Sequence, residues 1–71
     1  MKGFHIKMMN KKIENKLINL LRNIYDDDDF IFGILVYADT DSLREKVINF
    51  IENGPDVDME TITVYAIELN H

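Results

Sequence analysis

Apolar residues recur at spacings of three and four in the first part of the chain, which is the period of an α-helix with one buried face. The positions are Met9, Ile13, Leu17, Leu20, Leu21 and Ile24. Lysine, asparagine and arginine fill most of the positions between them. Asn10 can cap this segment, because its side-chain oxygen can accept a hydrogen bond from one of the first unpaired backbone N–H groups. The pattern predicts an amphipathic helix from Asn10 to about Tyr25.

A second helix is predicted from Ser42 to Asn53. Its apolar stripe consists of Leu43, Val47, Phe50 and Ile51. Ser42 and Glu45 have the spacing of a capping box, in which each side chain accepts a hydrogen bond from the other residue's backbone, with Thr40 and Asp41 as competing caps.

The sequence "NGP" marks the end of this helix. Gly54 can take the left-handed conformation that ends a helix, and Pro55 cannot continue one. No internal repeat, low-complexity tract or proline-rich linker interrupts the chain. We therefore expect one domain over residues 10–71, preceded by a leader over residues 1–9 whose order the sequence leaves open.

Two further segments, Phe30 to Ala38 and Thr61 to Leu69, fit a strand by composition and a helix by spacing. The β-branched and aromatic residues in both favour a strand. The carboxylates that precede each segment favour a helix, because acidic side chains in a first turn interact well with the free N–H groups and the helix dipole. Asp58 can also cap the second segment. Helix is the preferred interpretation of both.

Two architectures follow from these elements. The first is an all-α domain of about four short helices joined by short loops. The second is an α-β-α-β chain, whose two-stranded sheet would leave exposed edges and would need a dimer to complete it. We expect the all-α domain, because it requires less additional structure.

Composition narrows the functional classes. The chain has 71 residues, no cysteine and a net charge of −5, so disulfides and thiolate metal sites are excluded. Through Ile24 the balance of charged residues is +5, and from Tyr25 onward it is −10. No apolar run has the length of a signal peptide or a membrane span, so we expect a cytoplasmic protein. The abundance of isoleucine, asparagine and lysine suggests a bacterial source with an AT-rich genome.

Metal and catalytic sites are not expected. Four consecutive aspartates, Asp26 to Asp29, point in four directions on a helix and cannot converge on one ion. An EF-hand spacing begins at Asp56, but Thr61 and Ile67 occupy the positions that need glycine and glutamate. Ser42 is the only serine and is better explained as a helix cap, so a nucleophilic triad lacks parts. We expect no enzyme activity and no cofactor.

Nucleic-acid binding is a weaker hypothesis. The segment from Asp58 to Asn70 would be the recognition helix of a helix-turn-helix, but it carries acids and no cation. The remaining candidate surface is the basic face of the first helix, with Lys11, Lys12, Lys16 and Arg22. A lysine-bearing helix face is more often ordinary solvated surface.

Protein contact is the favoured function, because the chain has more large aromatic residues than four short helices can easily bury. The candidate interface consists of Phe32, Tyr37, Tyr65, Asp26, Asp27, Asp28 and Asp29. One hypothesis is a regulatory or inhibitor-type accessory protein that binds a basic partner. Another is a structural homodimer that completes the core. The alternative without an interface is that the segment from Phe30 to Ala38 is a helix buried on all sides at the centre of the domain.

Overall fold

A computed structural model describes residues 10–54 and 56–71, and this part of the chain consists of four α-helices without a strand. The helices are α1 (Lys11–Ile24), α2 (Asp28–Tyr37), α3 (Asp41–Asn53) and α4 (Met59–Leu69). The all-α prediction is confirmed over the α-β-α-β alternative. Residues 1–9, for which a leader was predicted, and Pro55 lie outside the described residues.

Each helix begins after a polar residue whose side chain accepts hydrogen bonds from backbone N–H groups of the first turn. These N-caps are Asn10, Asp27, Thr40 and Asp58. All four have extended backbone angles, as an N-cap requires. The caps explain why the two ambiguous segments are helices: the acidic residues that precede them satisfy donors that a strand would not leave free.

Of the three caps considered for α3, the structure uses Thr40, so the preference for a capping box at Ser42 was wrong. Thr40 is the N-cap, and its Oγ1 accepts a hydrogen bond from the N–H of Leu43 at 3.1 Å. This start places Asp41 at the first helical position, where both carboxylate oxygens accept from the N–H of Asn10, at 3.0 and 3.2 Å. Asp41 thereby joins the start of α3 to the residue that caps α1.

The left-handed conformation expected of Gly54 was also wrong. Its φ is −91° and its ψ is 135°, an extended geometry that any residue can adopt. Space is the real constraint here. A Cβ at Gly54 would lie 2.5 Å from Cγ2 of Val57 and 2.8 Å from the carbonyl oxygen of Phe50. The chain passes too close to itself at this turn for a larger residue.

The core lies between all four helices, with α1 packed against α3, α2 against α4, α3 against α4 and α1 against α2. Its buried apolar residues are Leu17, Leu21, Ile31, Ile34, Leu35, Ala38, Val47, Ile48, Ile62 and Ala66. Hydrogen bonds join helix ends as well. The N-terminal ends of α1 and α3 meet through Asn10 and Asp41, and Asn70 Nδ2 after α4 donates to the carbonyl oxygen of Tyr37 at the end of α2.

Candidate interaction surface

The outer side of α2 exposes large apolar side chains to solvent. Phe32 is 65% exposed and Val36 is 70% exposed, and they stand one turn apart on the same side of the helix. Tyr37 is 37% exposed beside them. Gly33 lies on the same side, and a Cβ there would meet no atom within 4 Å. We call Phe32, Gly33, Val36 and Tyr37 the α2 face. The alternative that this helix is buried on all sides is wrong.

Opposite the α2 face, α2 is fully engaged in the core. Ile31, Ile34 and Leu35 are buried against the other helices. The helix is therefore apolar nearly all round, but residues 10–54 and 56–71 cover it on one side only. A surface helix of a globular protein normally carries polar residues on its outer side. A contiguous exposed apolar patch is more often an interaction site than is a surface of ordinary composition.

The four aspartates stand at the start of α2, and the structure gives most of them a local explanation. Asp27 is the N-cap and accepts from the N–H groups of Asp29 and Phe30 at 2.8 and 3.3 Å. Arg22, near the end of α1, donates to Asp26 at 2.7 Å and to Asp28 at 3.2 Å. These hydrogen bonds raise the pKa of Arg22 above its usual value, and the bond to Asp26 has the larger effect.

Across residues 10–54 and 56–71, no three histidine or acidic side chains converge in a way that could hold an ion. The acidic run instead starts a helix and joins it to the end of α1.

Tyr65, the remaining predicted interface residue, lies apart from the α2 face. Its ring stacks on that of Phe50 in α3, with centroids 4.0 Å apart and planes 8° from parallel. Together these rings help to line a groove of about 430 Å³ between α3 and α4. The residues that line it are Phe50, Glu60, Thr61, Val64, Tyr65 and Glu68. We call this the α3–α4 groove.

The predicted nucleic-acid face is largely engaged with carboxylates of the same chain. Arg22 binds the two aspartates described above. Lys16 Nζ lies 3.2 Å from Glu52 Oε2 of α3, and Lys11 Nζ lies 3.9 Å from Glu14 Oε1. Lys12 and Lys16 line a cleft of about 300 Å³ between α1 and α3, which glutamates of α3 also line. Acidic groups thus offset most of the positive charge on α1.

Arg44 is a structurally important residue that sequence reasoning missed. It is only 7% exposed, and its Nε donates to the carbonyl oxygen of Ala38 at 2.7 Å while an Nη donates to that of Leu35 at 3.3 Å. The guanidinium therefore caps the C-terminal end of α2. The signal was present, because Arg44 continues the buried spacing of Val47 and Ile48 on α3.

The exposure of Val36, Met59, Val64 and Ile67 was missed as well. Val36 stands four residues after Phe32, so its exposure could have been inferred from that spacing. Val64 is 51% exposed at the α3–α4 groove, and Ile67 shares a shallow cleft with Tyr37 at the ends of α4 and α2. The spacing of Ile62, Tyr65, Ala66 and Leu69 does indicate the buried side of α4, since Ile62 and Ala66 are buried and Tyr65 and Leu69 pack against the core, and Val64 and Ile67 lie outside that stripe.

Comparison with known proteins identifies no relative of this chain. Neither a family model, nor a curated protein, nor a solved structure matches this chain. Within the described residues, no helix combines the length and the apolar character needed to cross a bilayer.

Proposed function

We propose that this protein is a non-catalytic accessory protein that binds a basic protein partner through the α2 face. The observation that carries the proposal is the exposure of Phe32 and Val36 on a helix whose other side is buried in the core. A rigid helix that presents aromatic and aliphatic anchors at i and i+4 suits recognition by a groove on another protein. Aromatic residues are also enriched among those that dominate binding energy.

The charge of the surrounding surface supports a basic partner. Neither α2 nor α4 contains a lysine or an arginine. Asp29 lies in the first turn of α2, three residues before Phe32, and therefore on the same side of the helix as the α2 face. Complementary charge at the rim of an interface steers association and disfavours wrong partners. A regulatory or inhibitor-type role, in which the partner is a basic enzyme or effector, fits this combination.

Nucleic-acid binding is less well supported. Of the four cations predicted to contact a phosphate backbone, three lie within 4.0 Å of a carboxylate of this chain. A phosphate would have to displace those carboxylates, which reduces the gain from each contact.

The test compares two single variants, Phe32→Ser on the α2 face and Met59→Ser as a control. Met59 is also exposed and apolar, but it lies in the first turn of α4. Proteins retained by the wild type would be identified, purified and titrated against each variant by calorimetry. About two-thirds of a phenylalanine side chain is available for burial, so Phe32→Ser should weaken binding by about 2 to 3 kcal/mol, or roughly 30- to 150-fold. Met59→Ser should change the Kd by no more than about twofold.

Three results would contradict the proposal. Equal binding by the wild type and Phe32→Ser would remove the α2 face from the interface. A complex unaffected by about 0.5 M NaCl would argue against contacts with a basic partner, because salt screens exposed charges. A wild-type dimer at micromolar concentration that Phe32→Ser converts to a monomer would replace the proposal with a structural homodimer.

A further inference from the structure

The α3–α4 groove combines an apolar floor with carboxylates that, among the described residues, have no cation beside them. Phe50, Val64 and Tyr65 supply the floor. Glu60 and Glu68 stand along α4, both exposed, and within the described residues neither has a lysine or arginine nitrogen within 4.0 Å. The chain contains no lysine or arginine after Lys46, so α4 itself cannot supply one.

This arrangement matches the two parts of a basic side chain. The aliphatic stem of an arginine or lysine covers apolar surface while its charged head reaches a polar group at the edge. Glu60 and Glu68 are eight residues apart on one helix, which places their Cα atoms about 12 Å apart along its axis. The floor lies between them, because Val64 and Tyr65 are midway along that interval.

We propose that the α3–α4 groove binds an extended basic segment of a protein partner, with one cation at each glutamate and an apolar side chain between them. In an extended segment, residues i, i+2 and i+4 point to the same side, and the outer two are about 13 Å apart. That spacing matches the interval between the glutamates. The segment therefore has the pattern basic-x-apolar-x-basic, with arginine favoured because its guanidinium can bind a carboxylate through two hydrogen bonds.

This inference rests on the proposed function only in that the protein acts by binding proteins. The α3–α4 groove and the α2 face are lined by different residues, so either can fail without the other.

The test is a titration of the full-length, isotopically labelled protein with the peptide acetyl-Arg-Ser-Leu-Ser-Arg-amide, followed by NMR. We expect saturable shifts concentrated on the amides of residues that line the groove. Two further peptides control for composition: one in which glutamate replaces both arginines, and one with the same residues in the order Arg-Arg-Ser-Leu-Ser. The first should not bind, and the second should bind several-fold more weakly, because only one glutamate can be reached at a time.

Two double variants of equal charge separate groove binding from general attraction. Glu60→Gln with Glu68→Gln should weaken binding at least about tenfold, since each charge-assisted contact is lost. Asp39→Asn with Glu45→Gln removes the same charge from exposed positions outside the groove and should leave the Kd within about twofold.

Several outcomes would overturn the proposal. They are the absence of saturable shifts at the groove, equal loss of binding in both double variants, and equal binding of the two arginine peptides. Groove shifts that depend on protein concentration without any peptide would assign the surface to a second copy of this chain instead. Phe32→Ser separates this proposal from the proposed function. It should leave the peptide titration unchanged, so a failure of the titration would not count against binding through the α2 face.

Discussion

Arg44 is a charged residue of α3 whose side chain is almost fully buried. We expect it to contribute a large part of the stability of this domain. Its two hydrogen bonds run to the carbonyl oxygens of Ala38 and Leu35. A hydrogen bond to a charged group contributes about 1.5 to 3 kcal/mol, and the longer bond at 3.3 Å should lie at or below the lower limit. We therefore expect Arg44→Met to reduce the free energy of unfolding by about 2 to 4 kcal/mol.

The choice of methionine isolates the hydrogen bonds from packing. Methionine retains much of the volume of the arginine stem but cannot donate to a carbonyl. Replacing a buried charge by an apolar residue is sometimes neutral or stabilising. Here we expect a loss, because the carbonyl groups at the end of α2 remain in the chain and are left without their donor. A domain of this size has only about 3 to 5 kcal/mol in total, so the variant should be partly unfolded in buffer.

The measurement is urea unfolding followed by far-UV circular dichroism, with Lys46→Met as the matched control. Lys46 is an exposed cation on the same helix, two residues after Arg44, and its replacement should change stability by less than about 0.5 kcal/mol. Arg44→Lys should fall between the two, because an ammonium can reach one carbonyl more easily than both. Equal stability of Arg44→Met and Lys46→Met would refute the argument that this guanidinium holds the end of α2.

Three further pairs of changes test the local structure. Gly33→Ala should raise the free energy of unfolding by about 0.5 to 1 kcal/mol, because the site is open and helical. Gly54→Ala should lower it by about 1 to 3 kcal/mol, because the new Cβ would clash with a backbone carbonyl. Shifts of the same sign in the thermal melts of the two variants would contradict this contrast. Thr40→Ala should cost about 1 kcal/mol and Ser42→Ala almost nothing, and urea titrations that reverse this order would restore the capping box. The backbone N–H that binds the Asp58 carboxylate lowers its pKa below 3.8, so the stability it provides is complete above that pH and is lost as the pH falls through the folded-state pKa. The difference in melting temperature between wild type and Asp58→Ala should therefore be largest near neutral pH and should disappear in acid. A difference that is constant with pH would contradict this.

The four helices were predictable because their signals are local. Capping residues, acidic first turns and apolar spacing act within a few residues of one another, so they can be read from the chain without knowing its neighbours. The start of α3 shows the limit. Thr40, Asp41 and Ser42 are all good caps by residue type, so local sequence does not choose among them; in the structure Thr40 caps the helix, and Asp41 accepts a hydrogen bond from Asn10.

The candidate surfaces were only partly predictable. Phe32 and Tyr37 lie off the buried stripe of α2, and that position predicted correctly where they would stand on the helix. Tyr65 belongs to the apolar stripe of α4, which predicts contact with the core, but its stacking on Phe50 depends on how α4 packs against α3. The predicted basic face of α1 could not be evaluated from sequence either, because Lys16 meets Glu52 from a segment more than 30 residues away.

The sequence by itself determined two of the four helices, α1 and α3, favoured helix over strand for the other two, and showed that charge is divided between a basic N-terminal part and an acidic remainder. It could do so because helix formation and charge are properties of short segments. Only the tertiary structure decided which apolar side chains remain in solvent, that Arg44 holds the end of α2, and that two glutamates border an aromatic groove. Those features depend on which side of each helix packs against its neighbours, and contacts between residues far apart in the sequence decide that.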